Sequence, residues 1–161
     1  MPVTAIHKDP ASLTMTVEAV FAAPVERVWA AWVDPRQIEK FWGPPGWPAT
    51  FERHDFTPGG RSAYYMSGPN GEKSRGYWEF VRVSPPNEFE VLDGFAQADG
   101  TPNTAMPAMR MHMQFRPDGA GTKMVSVTTF PTLEAMETVI KMGMEEGLRA
   151  ALNQIDGLLA A

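Results

Sequence analysis

The stretch MRMHMQFRPDGAGTKMVSVTT, Met109 to Thr129, decides how the rest of the chain folds. Met109, Met111 and Met113 alternate with Arg110, His112 and Gln114, the period-two pattern of a strand with one apolar face. RPDGAG is a turn signal, and the segment after it is rich in β-branched residues. Together they read as an antiparallel hairpin. Folding it about Gly119 sets Met113 opposite Val125, Met111 opposite Val127 and Met109 opposite Thr129. All then share one face, which the methionines mark as the buried one. Arg110 and His112 fall on the outer face as surface polar residues.

Working toward the N-terminus, the same texture repeats. Strands are expected near 49–56, 60–67, 73–83 and 88–95, with this hairpin adding 108–116 and 122–130. TPGG (57–60), SGPNGE (67–72) and SPPN (84–87) separate them. If the polar connection from Ala96 to Pro107 closes an ordinary hairpin, Phe89, Val91, Asp93 and Phe95 join the methionine face. A two-residue turn at Pro85–Pro86 adds Trp78 and Phe80, and the next turn adds Tyr64 and Met66. A bulge anywhere would reverse the faces beyond it.

The ends of the chain supply another strand and the helices. Leu13, Met15, Val17, Ala19 and Phe21 alternate with polar residues, a half-buried strand, whereas the first ten or so residues look loosely held. Pro24 suits the start of a short helix carrying Val25, Val28, Trp29 and Trp32 on one side. Asp34-Pro35 reads as cap and first position of a second short helix to about Phe41. Thr132 to Leu159 has no proline and reads as one long helix, with Leu133, Met136, Ile140, Met144, Leu148, Ala151, Ile155 and Leu158 as its apolar stripe. Gly143 and Gly147 beside that stripe either let the helix approach a sheet or leave room for something else. The order implies an α+β fold: a strongly bent antiparallel sheet of about seven strands wrapped against one amphipathic helix, a single domain over 1–161 with its ordered core at about 12–159.

The chain of 161 residues is long enough for one real core. Its net charge of −5 argues against nucleic acid or an anionic membrane as the main partner. No apolar run spans a bilayer, and the N-terminus does not read as a signal peptide. The lack of cysteine suits the cytoplasm. Three scattered histidines form no metal-ligand pattern, and neither a phosphate-cradling glycine loop nor a G-x-S-x-G elbow is present, so no metal or cofactor is expected. His54 and Glu52 share one side of their strand and read either as an acid–base pair or as a surface hydrogen bond.

APVERVWAAWVDPRQIEKFWGPPGW (23–47), HDFTPGGR (54–61), GYWEFVRVSPP (76–86) and GMEEGLRAALNQIDGLL (143–159) resemble the START-like (SRPBCC) superfamily. More narrowly, they resemble single-domain bacterial relatives of the activator of the ninety-kilodalton heat-shock-protein ATPase. The resemblance implies a helix-grip fold, with a curved sheet around a long C-terminal helix and a hydrophobic cavity between them. It transfers no fixed catalytic residues. Relatives often carry Trp after the GMEEG glycine; Leu148 stands there in this chain, which should widen or reshape the cavity.

The expected ligand-binding face is therefore Tyr64, Met66, Trp78, Phe80, Val91, Asp93, Phe95, Met109, Met111 and Met113 from the strands, with Met136, Ile140 and Met144 from the helix. Trp42, in the stiff segment KFWGPPGWPAT (40–50), is expected at the cavity mouth, as a lid or as packing for the short helices. Asp93 reads either as a polar anchor in an apolar pocket or as a strand-end residue reaching solvent. The reading that follows is a binding protein for a small hydrophobic or aromatic molecule. A cavity-based cyclase, dehydratase or hydrolase using Asp93 and Tyr64 is the second reading, and a chaperone-activating interaction module the third. A homodimer stays open.

Overall fold

In a computed structural model describing residues 2–160, one antiparallel sheet of eight strands organises the chain. In chain order these are β1 (Val3–Asp9), β2 (Thr14–Phe21), β3 (Ala49–His54), β4 (Arg61–Ser67), β5 (Lys73–Ser84), β6 (Glu88–Phe95), β7 (Met109–Asp118) and β8 (Gly121–Thr129). Their spatial order is β1-β2-β8-β7-β6-β5-β4-β3, so the sheet is open, with β1 and β3 at its edges. The expected α+β class and C-terminal helical layer are present. The strand count rises by one because the N-terminal segment, expected to be loose, pairs with β2 from Ala5 to Asp9. Its residues are mostly exposed or half-buried, as an edge strand allows.

Helices α1 (Val25–Val33) and α2 (Pro35–Ile38) follow β2. Pro24 caps α1 rather than opening it, and the Asp34 side chain accepts from the Arg36 backbone N–H at 2.9 Å, capping α2 as expected. α1 lays Val28, Trp29 and Trp32 on the inner face of the sheet. There Trp32 meets Phe41, Trp42, Trp78, Phe89 and Phe115 at ring-centroid distances of 5.0–6.4 Å. Burying each such ring contributes about 1.5–3 kcal/mol, so this aromatic nest is a main source of stability.

Strand register carries two departures from expectation. In the β7–β8 hairpin Asp118 pairs with Gly121 across a two-residue turn, so Met113 faces Ser126 and Met111 faces Thr128. The expected register is one residue off. Met109, Met111 and Met113 are buried as anticipated, but on β8 the inner residues are Met124, Ser126 and Thr128, while Val125 and Val127 turn outward. Between β5 and β6 the turn takes three residues rather than two, Ser84 pairing with Glu88. A bulge between Phe80 and Arg82 restores the expected Phe80–Val91 pair and inner face.

The C-terminal segment is three helices rather than one: α3 (Leu133–Lys141), α4 (Met144–Asn153) and α5 (Ile155–Leu159). The main break is at Gly143, whose φ of 98° is left-handed backbone that favours glycine and ends a helix. Leu133, expected in the buried stripe, stands exposed at the start of α3.

Candidate functional site

A pocket of about 250 Å³ lies between the inner face of β4–β7 and helices α3 and α4. Cross-strand pairing builds its floor. Tyr64 pairs with Gly76, Gly76 with Phe95, and Asp93 with both Trp78 and Met109. The helices form the roof, through Val139 of α3, the break at Met142–Met144, and Gly147, Leu148 and Ala151 of α4. A Cβ added at Gly143 or Gly147 would meet nothing within 4 Å. Of the two roles considered for these glycines, the structure shows room rather than close approach.

Of the expected residues, Trp42, Tyr64, Met66, Asp93 and Phe95 line this pocket, with Met109, Met111 and Met144. Trp78, Phe80, Val91 and Met113 share the inner face but lie in the packed core behind α1 and do not reach the pocket. Met136 is buried and Ile140 half-buried against that core, and Val139 takes their place at the wall. The turn of α3 about its axis decides this. One helical stripe is wide enough to hold both sets, and its sequence does not say which half faces the void.

Pro44, Ser74, Gly76 and Gly94 also line the pocket without having been anticipated. Gly76 is the instructive one: a Cβ there would fall 2.5 Å from the Tyr64 hydroxyl, so the glycine makes the space in which the phenol ring lies. A glycine inside an otherwise alternating strand is the sequence signal that could have found it.

Trp42 is a wall of the pocket and not an exposed lid, at 7% exposure. It packs edge-on against Trp78 at 5.0 Å and Tyr64 at 6.3 Å. The loop that carries it is fastened to the C-terminal helices, since the Gln154 side-chain amide donates to the Phe41 and Gly43 carbonyls at 3.2 and 2.7 Å. Gly43 is required for this loop, because a Cβ would come within 1.8 Å of the Trp47 carbonyl oxygen.

Asp93 is the acidic side chain of the pocket wall, only partly shielded from the void. Burial pushes its carboxyl from 3.8 up to about 7. The Trp78 indole N–H acts against that shift, but too loosely to count as a formed hydrogen bond: Trp78 Nε1 is buried without a partner. Trp42 Nε1 stands in the same relation to the Tyr64 hydroxyl. Burial first, and then the charge of Asp93, push the Tyr64 hydroxyl up, so it stays protonated at ordinary pH. An indole donor thus lies beside each oxygen-bearing group, in a wall that is otherwise mostly apolar.

His54 and Glu52 do not form a pair. His54 Nδ1 contacts Ser62 Oγ at 2.7 Å and Nε2 the Trp32 carbonyl at 2.7 Å. A carbonyl only accepts, so Nε2 carries the proton and Nδ1 accepts from the serine. Burial lowers the His54 pKa, consistent with a neutral structural imidazole. A bulge between Phe51 and Arg53 displaces Glu52, which pairs with Arg75 at 2.9 Å. Arg110 and His112 lie on the outer face among Glu88, Glu90 and Arg82, as expected. Among the described residues no cluster of three or more His, Cys, Asp or Glu could hold a metal, and no helix is long and apolar enough to cross a membrane.

An open, curved antiparallel sheet closed by C-terminal helices over a pocket is the helix-grip arrangement of START-like proteins. Residues 22–160 match the family described as Activator of Hsp90 ATPase homolog 1-like protein, and the chain belongs to that family. A crystal structure of a Mycobacterium smegmatis protein is 49% identical, with TM-score 0.92 over 98% of this chain and 97% of that one. A solution structure of an Arthrobacter aurescens protein is 46% identical, with TM-score 0.94 over 98% and 92%. One from Staphylococcus epidermidis is 30% identical, with TM-score 0.85 over 98% and 94%. No curated protein matches the sequence.

Proposed function

We propose that this protein binds a small, mainly apolar molecule in the pocket between the sheet and α3–α4. The observation that carries the reading is the pocket itself: about 250 Å³ of space walled mainly by methionines and aromatic rings, with Asp93, Tyr64 and Ser74 among its few polar side chains. Ligand sites are characteristically apolar with a few placed polar groups. A 150 Å³ apolar cavity accepts benzene, so this one suits a molecule of roughly ten to fourteen non-hydrogen atoms. Methionines at Met66, Met109, Met111, Met142 and Met144 let the wall adapt to its occupant. The test is a screen of small aromatic compounds by native mass spectrometry, with quenching of tryptophan fluorescence as the second readout. Failure of every compound of this size to bind would end the reading.

A second reading is favoured by Asp93. A carboxyl with a pKa near 7 beside a protonated phenol is suited to moving a proton at neutral pH, as a cyclase, dehydratase or hydrolase requires. Tyr64 would then serve as a hydrogen-bond donor, with Asp93 as the acid or base. Turnover of a bound compound that disappears in Asp93→Asn would favour catalysis over carriage. The family description names a chaperone ATPase. Stimulation of such an ATPase by this chain with its pocket filled by Leu148→Trp would favour an interaction role over either.

A further inference from the structure

We infer that the pocket selects a ligand bearing a protonated amine, held by Asp93 and by the rings around it. This rests on the pocket-binding reading above and names the chemical class of its occupant. The pocket wall offers one carboxylate and no cation to match it. Asp93 takes part in no ion pair and no hydrogen bond of full geometry among the described residues. Arg75, the basic residue of the lining, has its guanidinium on the other side of the sheet. There it pairs with Glu52 at 2.9 Å and lies 5.1 Å from the Tyr65 ring. A carboxylate left in an apolar site without a counter-charge is costly, and a cation entering the pocket removes that cost.

The neighbouring side chains suit a cation in a second, independent way. The faces of the Tyr64 ring are taken by Gly76 and by Phe51, stacked on it at 4.9 Å, which leaves Trp42 and Phe95 as the other aromatic rings of the pocket wall. An ammonium group against such faces gains cation–π attraction that a hydroxyl does not. Burial raises the proton affinity of Asp93, and an ammonium group beside the carboxyl would offset that same desolvation. The rest of the wall, from Met109 to Leu148, would face the hydrocarbon part of the ligand. The class is therefore an arylalkylamine of about one ring and a short chain.

Three probes of about ten non-hydrogen atoms separate the possibilities: 3-phenylpropylamine, 3-phenylpropanol and hydrocinnamate, each titrated against the full chain while backbone amide shifts are followed by NMR. The expected result is that the amine binds roughly tenfold or more tighter than the alcohol. The acid should bind weakest, and the amide shifts should centre on Gly76, Gly94 and Gly143. Asp93→Asn should abolish the preference for the amine, so that amine and alcohol bind the variant alike. Equal binding of alcohol and amine, or an amine preference that survives in Asp93→Asn, overturns the inference and leaves the pocket-binding reading intact. If none of the three shifts the pocket amides at millimolar concentration, this inference falls, and the wider screen of aromatic compounds decides the pocket-binding reading.

Discussion

The phenol of Tyr64 lies over Gly76 on the neighbouring strand, so closely that a Cβ at position 76 would sit 2.5 Å from its hydroxyl and 2.6 Å from the ring. Gly76→Ala must therefore drive the ring away from β5 and into the pocket. A loss of about 1–3 kcal/mol is expected in urea unfolding, the usual cost of overpacking a filled site. Pairing the change with Tyr64→Ala should recover much of it. Two independent, additive losses would mean that the ring does not depend on the glycine.

Asp93 and His54 impose opposite slopes on stability against pH. The Asp93 carboxyl is raised from 3.8 to about 7, so its contribution is full below pH 4 and is lost as pH rises through 7. His54 is lowered from 6.5, so its contribution is full above pH 6.5 and is lost as pH falls through the folded value. In the wild-type chain the two partly cancel between about pH 4 and 6.5. Asp93→Asn should remove one of them, leaving stability that climbs as pH rises toward 6.5. The shift corresponds to at most ~4 kcal/mol. Opening of the carboxyl to the pocket trims this to about 2 kcal/mol gained at pH 8. Thermal melts across that range check the slope, and a variant less stable than wild type at pH 8 would contradict the burial argument.

Trp42 both walls the pocket and packs on Trp32, Trp78 and Tyr64. Trp42→Ala is expected to cost about 3–5 kcal/mol. Ligand affinity should fall in parallel, since the same ring serves both. Trp42→Phe, which keeps a ring but drops the unpartnered indole N–H, should retain more than half of the lost stability.

The two roof glycines should behave in opposite ways. Gly143 has left-handed backbone, so Gly143→Ala should destabilise by about 1–2 kcal/mol. Gly147 is helical with open space before it, so Gly147→Ala should stabilise α4 by roughly 0.5–1 kcal/mol. Its methyl group enters the void, so affinity for any bound aromatic should drop even as the melting temperature rises. Stability and binding moving together in Gly147→Ala would count against this placement of the pocket.

Much of the sheet was legible because alternation survives in its strands. The Met109–Met111–Met113 row, Phe89 and Val91 opposite it, and Asp93 beside Trp78 all follow from period two and pairwise turns. What failed was decided by single residues. A hinge at Gly119 alone sets Met113 opposite Val125, whereas Gly119 and Ala120 form the turn together, which flips β8. An opposite error at Pro85–Pro86 was absorbed by the bulge at Val81. The helix break escaped because glycine within a helical pattern is compatible with continuation, and tertiary packing sets its φ. The pocket lining was half legible for a related reason. Packing against α1 decides which inner-face residues are covered and which stay open, and that is a long-range fact.

Between them, floor and roof divide the molecule's responsibilities. The floor is aromatic and interlocked, so altering it disturbs the fold. The roof owes its vacancy to two positions that carry no side chain at all. Residue size at Gly147 can therefore change what fits without touching what folds. Related chains can differ in the room beneath that roof through a handful of atoms on one short helix while their sheets stay nearly superimposable.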